Sequence, residues 1–152
     1  MNYLKKITVL LTALLVFSSV FSQNNKTEHH LDKEYQKCLQ EDLGNLGERN
    51  CHSEFEDKWD KEMNRLYVHL IKLIEMNIGD PTKDGLAIDS TSLIKLKTAQ
   101  RQWLKYRDEE FKLSGTLYNR KGSMFYTIHA YRRMDFVRTR ALELKYYCSS
   151  FQ

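Results

Sequence analysis

Apolar residues recur along this chain at steps of three and four, the spacing that gathers side chains on one face of a helix. The clearest stripe is Phe55, Trp59, Met63, Leu66, Tyr67, Leu70 and Ile74. It predicts a helix that opens near Asn50 or Ser53, where Ser53-x-x-Glu56 fits a capping box, and that stops before Gly79-Asp80-Pro81. A second stripe, Leu93, Leu96, Gln100, Trp103, Arg107 and Phe111, predicts a helix capped within Asp89–Ser92 and closing near Ser114-Gly115. A third, Ile128, Tyr131, Met134, Val137, Ala141 and Leu144, predicts a helix over about 124–147. A shorter helix is expected from about Leu31 to Leu43, ended by Gly44. Residues 79–90 and Tyr118-Asn119-Arg120-Lys121-Gly122 read as surface loops. Strand-like alternation is nearly absent. The expected fold is all-α, a small bundle of three long helices plus one short N-terminal helix.

The start of the chain breaks the amphipathic pattern. Lys5 and Lys6 precede an unbroken apolar run from Ile7 to Phe17, and Val20 and Ser22 stand at −3 and −1 of a cut before Gln23. That is the layout of a secretory signal peptide. The run is shorter than the ~20 residues a membrane span requires. The expected organisation is a signal peptide over 1–22, a polar leader over 23–30 and one helical domain over 31–148, with the mature protein periplasmic or secreted and not inserted in the membrane.

Composition then narrows the class. The 152 residues are 41% hydrophobic and 29% charged, with one Pro and six Gly, which excludes a disordered or collagen-like chain. Removing Lys5 and Lys6 with the leader takes the formal charge from +4 to +2, too little for a general nucleic-acid binder. The charge is uneven. Residues 41–62 hold eight acids against Arg49, Lys58 and Lys61, and within them Glu54, Glu56, Asp57 and Asp60 form a candidate acidic docking face. Acids at a helix start also favour its dipole while staying solvated. Residues 116–152 carry the opposite excess, with Arg120, Lys121, Arg132 and Arg133 among seven bases.

All three cysteines follow the leader, where an oxidising compartment permits disulfides. Cys38 and Cys51 are either a bridge stapling a turn or two reduced thiols in a core. Cys148 is then a free thiol, a residue of a frayed end, or half of an intermolecular bond. The five His show neither His-Glu-x-x-His nor any Cys-x-x-Cys partner, so no metal is expected, and no cofactor. No nucleophile elbow or phosphate loop is present, and no enzyme is expected. Polar residues do interrupt the stripes: Asn64 and Tyr67, then Gln100, Trp103, Arg107 and Asp108, then Arg140. Buried polar groups must find partners. These residues are therefore either a structural network fixing helix register or a binding site, with Arg107 or Arg140 donating to Asp108, Asp60, Asn64 or Gln100.

Three segments carry a resemblance: Asp60-x-x-Met63-Asn64-x-x-Tyr67-x-x-Leu70, Ala99-Gln100-Arg101-x-Trp103-x-x-Tyr106-Arg107-Asp108, and Arg140-Ala141-x-Glu143-Leu144. Together they resemble the lysozyme-inhibitor LprI N-terminal-like family, over about residues 35–145. The resemblance implies an exported, mostly helical bacterial protein, and it matches Cys38 and Cys51 to the family's first two cysteines. Phe111 stands where the family usually has a third Cys, and its partner near Ala130–Arg132 is also missing, so an apolar contact is expected in place of a second bridge. Val137 replaces a common Thr. The implied function is stoichiometric binding to a lysozyme or another envelope protein. The alternative is an envelope interaction module with no lysozyme activity.

Overall fold

A computed structural model describes residues 29–41, 44–79, 88–118 and 122–151. The expected signal peptide, residues 23–28 of the leader, and most of the first loop (80–87) lie outside them. The described residues form four helices and no strand: α1 (His30–Leu39), α2 (Gly44–Asn77), α3 (Ser90–Tyr118) and α4 (Ser123–Ser149). The all-α architecture of three long helices and one short one is therefore as the periodicity predicts. None of these helices is long and apolar enough to cross a membrane.

The chain divides into two units between Lys33 and Glu34. In the first, His29 caps α1. Its carbonyl accepts from the Asp32 N–H at 2.9 Å, and its Nδ1 accepts from the Leu31 N–H at 3.2 Å.

In the second unit, α2 and α4 make the core. Phe55, Trp59, Met63, Leu66, Leu70 and Ile74 are buried along α2, and Met134, Val137, Ala141, Leu144 and Cys148 along α4. The largest side chains with no meaningful exposure come from these two helices alone. Cross-helix contacts set their direction. Asn45 meets Ser123 and Thr127, Glu56 meets Arg133, and the Leu66 carbonyl meets the Cys148 thiol. Both numbers rise together, so α2 and α4 run parallel. Pairings of Asp60 with Arg107 and Met63 with Gln100 show α3 running opposite to α2. Among α3 residues only Gln100 is buried. This helix lies half-embedded against the α2–α4 pair.

Residues 34–39 of α1 are tied to α2 by the Cys38–Cys51 disulfide, whose Cα atoms are 6.1 Å apart. Lys58 adds an exposed bridge to Glu34 at 3.3 Å.

Boundaries move from their sequence positions on all four helices: α1 ends at Leu39, not at Leu43, and Gly44 is the first residue of α2 instead of the stop of α1. α2 begins at Gly44, not at Asn50 or Ser53. Its first turn is held by α4, where Thr127 Oγ1 donates to the Asn45 carbonyl at 2.9 Å. Ser53 is thus internal and donates back to the Arg49 carbonyl at 3.0 Å, a bond that Ser makes within helices as readily as at their ends. α3 runs through Gly115 to Tyr118. A helical Gly costs only about 1 kcal/mol, which continued packing outweighs. α4 extends from Ser123 to Ser149, slightly beyond its stripe at both ends. The α3 start is as expected: Asp89 Oδ1 accepts from the N–H groups of Thr91 and Ser92 at 2.9 and 3.0 Å.

Candidate functional site

The polar residues that interrupt the stripes meet where α3 crosses α2 and α4. Arg140 is 8% exposed; its Nε donates to Gln100 Oε1 at 3.0 Å and its Nη1 to Glu143 at 2.9 Å. Gln100 spends its amide N–H on Met63 Sδ at 3.7 Å, so both ends of the only buried α3 side chain are engaged. About two helical turns further along α3, Arg107 donates from Nε and Nη2 to Asp108 at 3.0 and 2.8 Å and lies 3.5 Å from Asp60. Asn64 joins through Asp60 Oδ2 at 3.0 Å. Trp103 lies between the two guanidinium groups, with Arg107 at 5.6 Å and Arg140 at 6.0 Å from its ring, both within cation–π range. The structure thus brings Asn64, Gln100, Trp103, Arg107, Asp108 and Arg140 into one connected cluster. Tyr67 stays half-buried outside it.

The acidic face is less open than its sequence suggests. Glu54 pairs with Lys58 at 3.0 Å, Glu56 with Arg133 at 2.7 Å, and Asp60 with Arg107. Asp57 is exposed. Glu56, Asp57, Asp60, Arg107 and Arg133 line a shallow cleft of about 380 Å³. At its edge the Arg133 guanidinium covers the Phe111 ring at 4.8 Å. Phe111 also meets Phe136 edge-on at 6.0 Å, so at the place of the absent third cysteine an aromatic contact joins α3 to α4.

Two features escaped the sequence. Phe136 lies off the α4 stripe yet gathers Trp103, Tyr106 and Phe111 around itself. Nothing local marks it, because its partners are all on α3. The second is a hydrogen bond of 2.9 Å between the Tyr35 hydroxyl and His52 Nδ1, buried beside the disulfide. Burial holds His52 below the usual imidazole range, against the opposing pull of Glu48. Burial first, then Tyr131, Asp135 and Glu48, pushes the Tyr35 hydroxyl up to about 12. Both groups are therefore neutral near pH 7. His52 shares a helical face with Glu56 in sequence, but its partner is Tyr35 on α1.

Cys148 is buried as a free thiol, its Sγ 3.8 Å from the Leu66 carbonyl. Burial raises it above the usual thiol range. Among the described residues no group of three or more His, Cys, Asp or Glu is placed to hold a metal ion.

The family model described as lysozyme inhibitor LprI matches residues 37–144, a span that holds the α2–α3–α4 packing and the whole polar cluster. No curated protein and no solved structure matches the chain.

Proposed function

The chain belongs to the LprI lysozyme inhibitor family, and on that premise we propose that it is an exported binding protein that acts stoichiometrically on a lysozyme. The observation that carries this reading is the family match across residues 37–144. The Cys38–Cys51 bridge supports export, because such bonds persist in oxidising compartments. A stoichiometric binder needs a stable surface and no reacting groups, and the polar cluster serves that need by fixing α3 on the α2–α4 pair. The contact surface in this reading is the exposed rim of α2 around Glu54 and Asp57, with Glu56 and Asp60 set behind it by Arg133 and Arg107. An acidic rim speeds encounter with a basic enzyme.

The test is a titration of the purified chain into a lysozyme lysis assay run with c-type, g-type and i-type enzymes. Slowing that saturates at a fixed molar ratio supports the reading. No slowing of any enzyme at excess protein rejects it in favour of an envelope interaction module. Charge reversal at Glu54 and Asp57, whose side chains are exposed, weakens inhibition if this rim docks; an unchanged effect moves the contact elsewhere.

A further inference from the structure

Between α3 and α4 lies an open groove of about 400 Å³, within the range of small-ligand sites. Its floor is aromatic. Phe136 has Trp103 stacked on it at 5.7 Å and Tyr106 tilted against it at 5.4 Å between ring centroids. None of these rings is sealed, and Tyr106 is 56% exposed. Aromatic area is normally among the first to be buried, since it contributes most per side chain. Here the fully sealed positions went to α2 and α4, and of this ring cluster Trp103 and Phe136 are half-buried while Tyr106 faces water.

The walls carry hydrogen-bonding groups of both signs. Arg140 lines the groove while nine-tenths buried, with Nε committed to Gln100 and Nη1 to Glu143. Its Nη2 edge keeps donors to offer. Arg132 and Glu110 stand in the wall with no hydrogen-bond or ionic partner among the described residues. Asp135, also in the wall, is shared with Arg138 at 3.7 Å. The lining is close to charge-balanced, so a polyanion meets carboxylates and a polycation meets guanidinium groups at short range.

One ligand chemistry satisfies both halves. A pyranose ring has an apolar C–H face that lies flat on an aromatic ring. Its edge hydroxyls each donate and accept, so they serve a carboxylate and a guanidinium without bringing charge. The geometry points to the α3–α4 groove as a binding site for a neutral oligosaccharide, with the exposed Tyr106 ring as the stacking face beside the packed Trp103–Phe136 pair, and Glu110, Arg132 and the uncommitted Nη2 of Arg140 as the polar contacts. This site is separate from the α2 rim and does not depend on lysozyme inhibition.

The test titrates the full chain with a β-1,4-linked N-acetylglucosamine tetramer and contains no lysozyme. Trp59 is 0% exposed, so a change in tryptophan emission reports Trp103. A saturable change is expected, with a matching calorimetric isotherm. Tyr106→Ala and Arg132→Ala alter exposed side chains, and each weakens binding about ten-fold. Trp103→Phe loses the optical signal but retains the isotherm. Unchanged circular dichroism of the variants separates these effects from misfolding. No saturable response by either method at millimolar saccharide overturns the assignment. So does full affinity in Tyr106→Ala, or tighter binding of an oligolysine or oligoglutamate peptide than of the sugar.

Discussion

Replacing Arg140 by methionine keeps the apolar stem and removes the guanidinium that joins α3 to α4. Gln100 Oε1 then loses its donor at 3.0 Å while only 5% exposed. A hydrogen bond to a charged group contributes about 1.5–3 kcal/mol, and an orphaned buried acceptor costs about 1–3. The Glu143 bridge adds at most about 1 kcal/mol, because Glu143 is half exposed. Removing a largely buried charge returns part of its desolvation cost. The expected net loss is about 2 kcal/mol. Gln100→Leu alone leaves Arg140 its Glu143 contact and costs somewhat less. The double variant replaces both partners by apolar groups and recovers much of the loss, as such exchanges do. Urea unfolding of the four proteins, with the disulfide kept oxidised, gives the coupling from midpoints at constant m. A coupling below about 0.5 kcal/mol, the level at which independent sites add, would refute the idea that this bond fixes α3.

Cys38→Ser with Cys51→Ser opens a link spanning 13 positions and is expected to destabilise by about 3 kcal/mol, with α1 amides losing exchange protection first. The neutral Tyr35–His52 pair sets two pH limbs. His52 binds a proton more readily unfolded than folded, so stability falls as pH drops below its ordinary 6.5. Tyr35 loses its proton more readily unfolded, so stability falls again as pH rises from 10 toward about 12. Thermal midpoints across pH check both limbs, and His52→Gln flattens the acid one; an unaltered acid slope in that variant rejects the assignment. Cys148, buried and raised above its usual range, resists a thiol reagent in the native protein and reacts at the rate of unfolding. Fast labelling of the folded chain would place it at the surface instead.

The helices were legible because their cause is local. Trp59, Met63, Leu66 and Leu70 need no partner to declare a face; their spacing does so. The Asp89 cap was legible for the same reason, since its acceptor reaches only two or three residues ahead. The start of α2 was not. Ser53-x-x-Glu56 looks the same inside a helix as at its end, and the deciding contact, Thr127 to Asn45, spans 82 positions. Candidate site residues stood out as polar breaks in apolar stripes, but their pairing did not. Gln100 meets Arg140 across 40 positions because α3 runs antiparallel to its neighbours, a direction that no residue records.

Charge shows the division most plainly. The acidic excess of residues 41–62 is a property of the sequence. That Arg133 and Arg107 neutralise Glu56 and Asp60 is a property of the packing. By itself the sequence determined which helix faces offered apolar area for burial, since the spacing of apolar residues sets a face without any partner. Only the tertiary structure decided which polar groups share that interior and which aromatic rings stay wet, because hydrogen bonds and ion pairs act over a few ångströms between residues that the chain brings together from far apart.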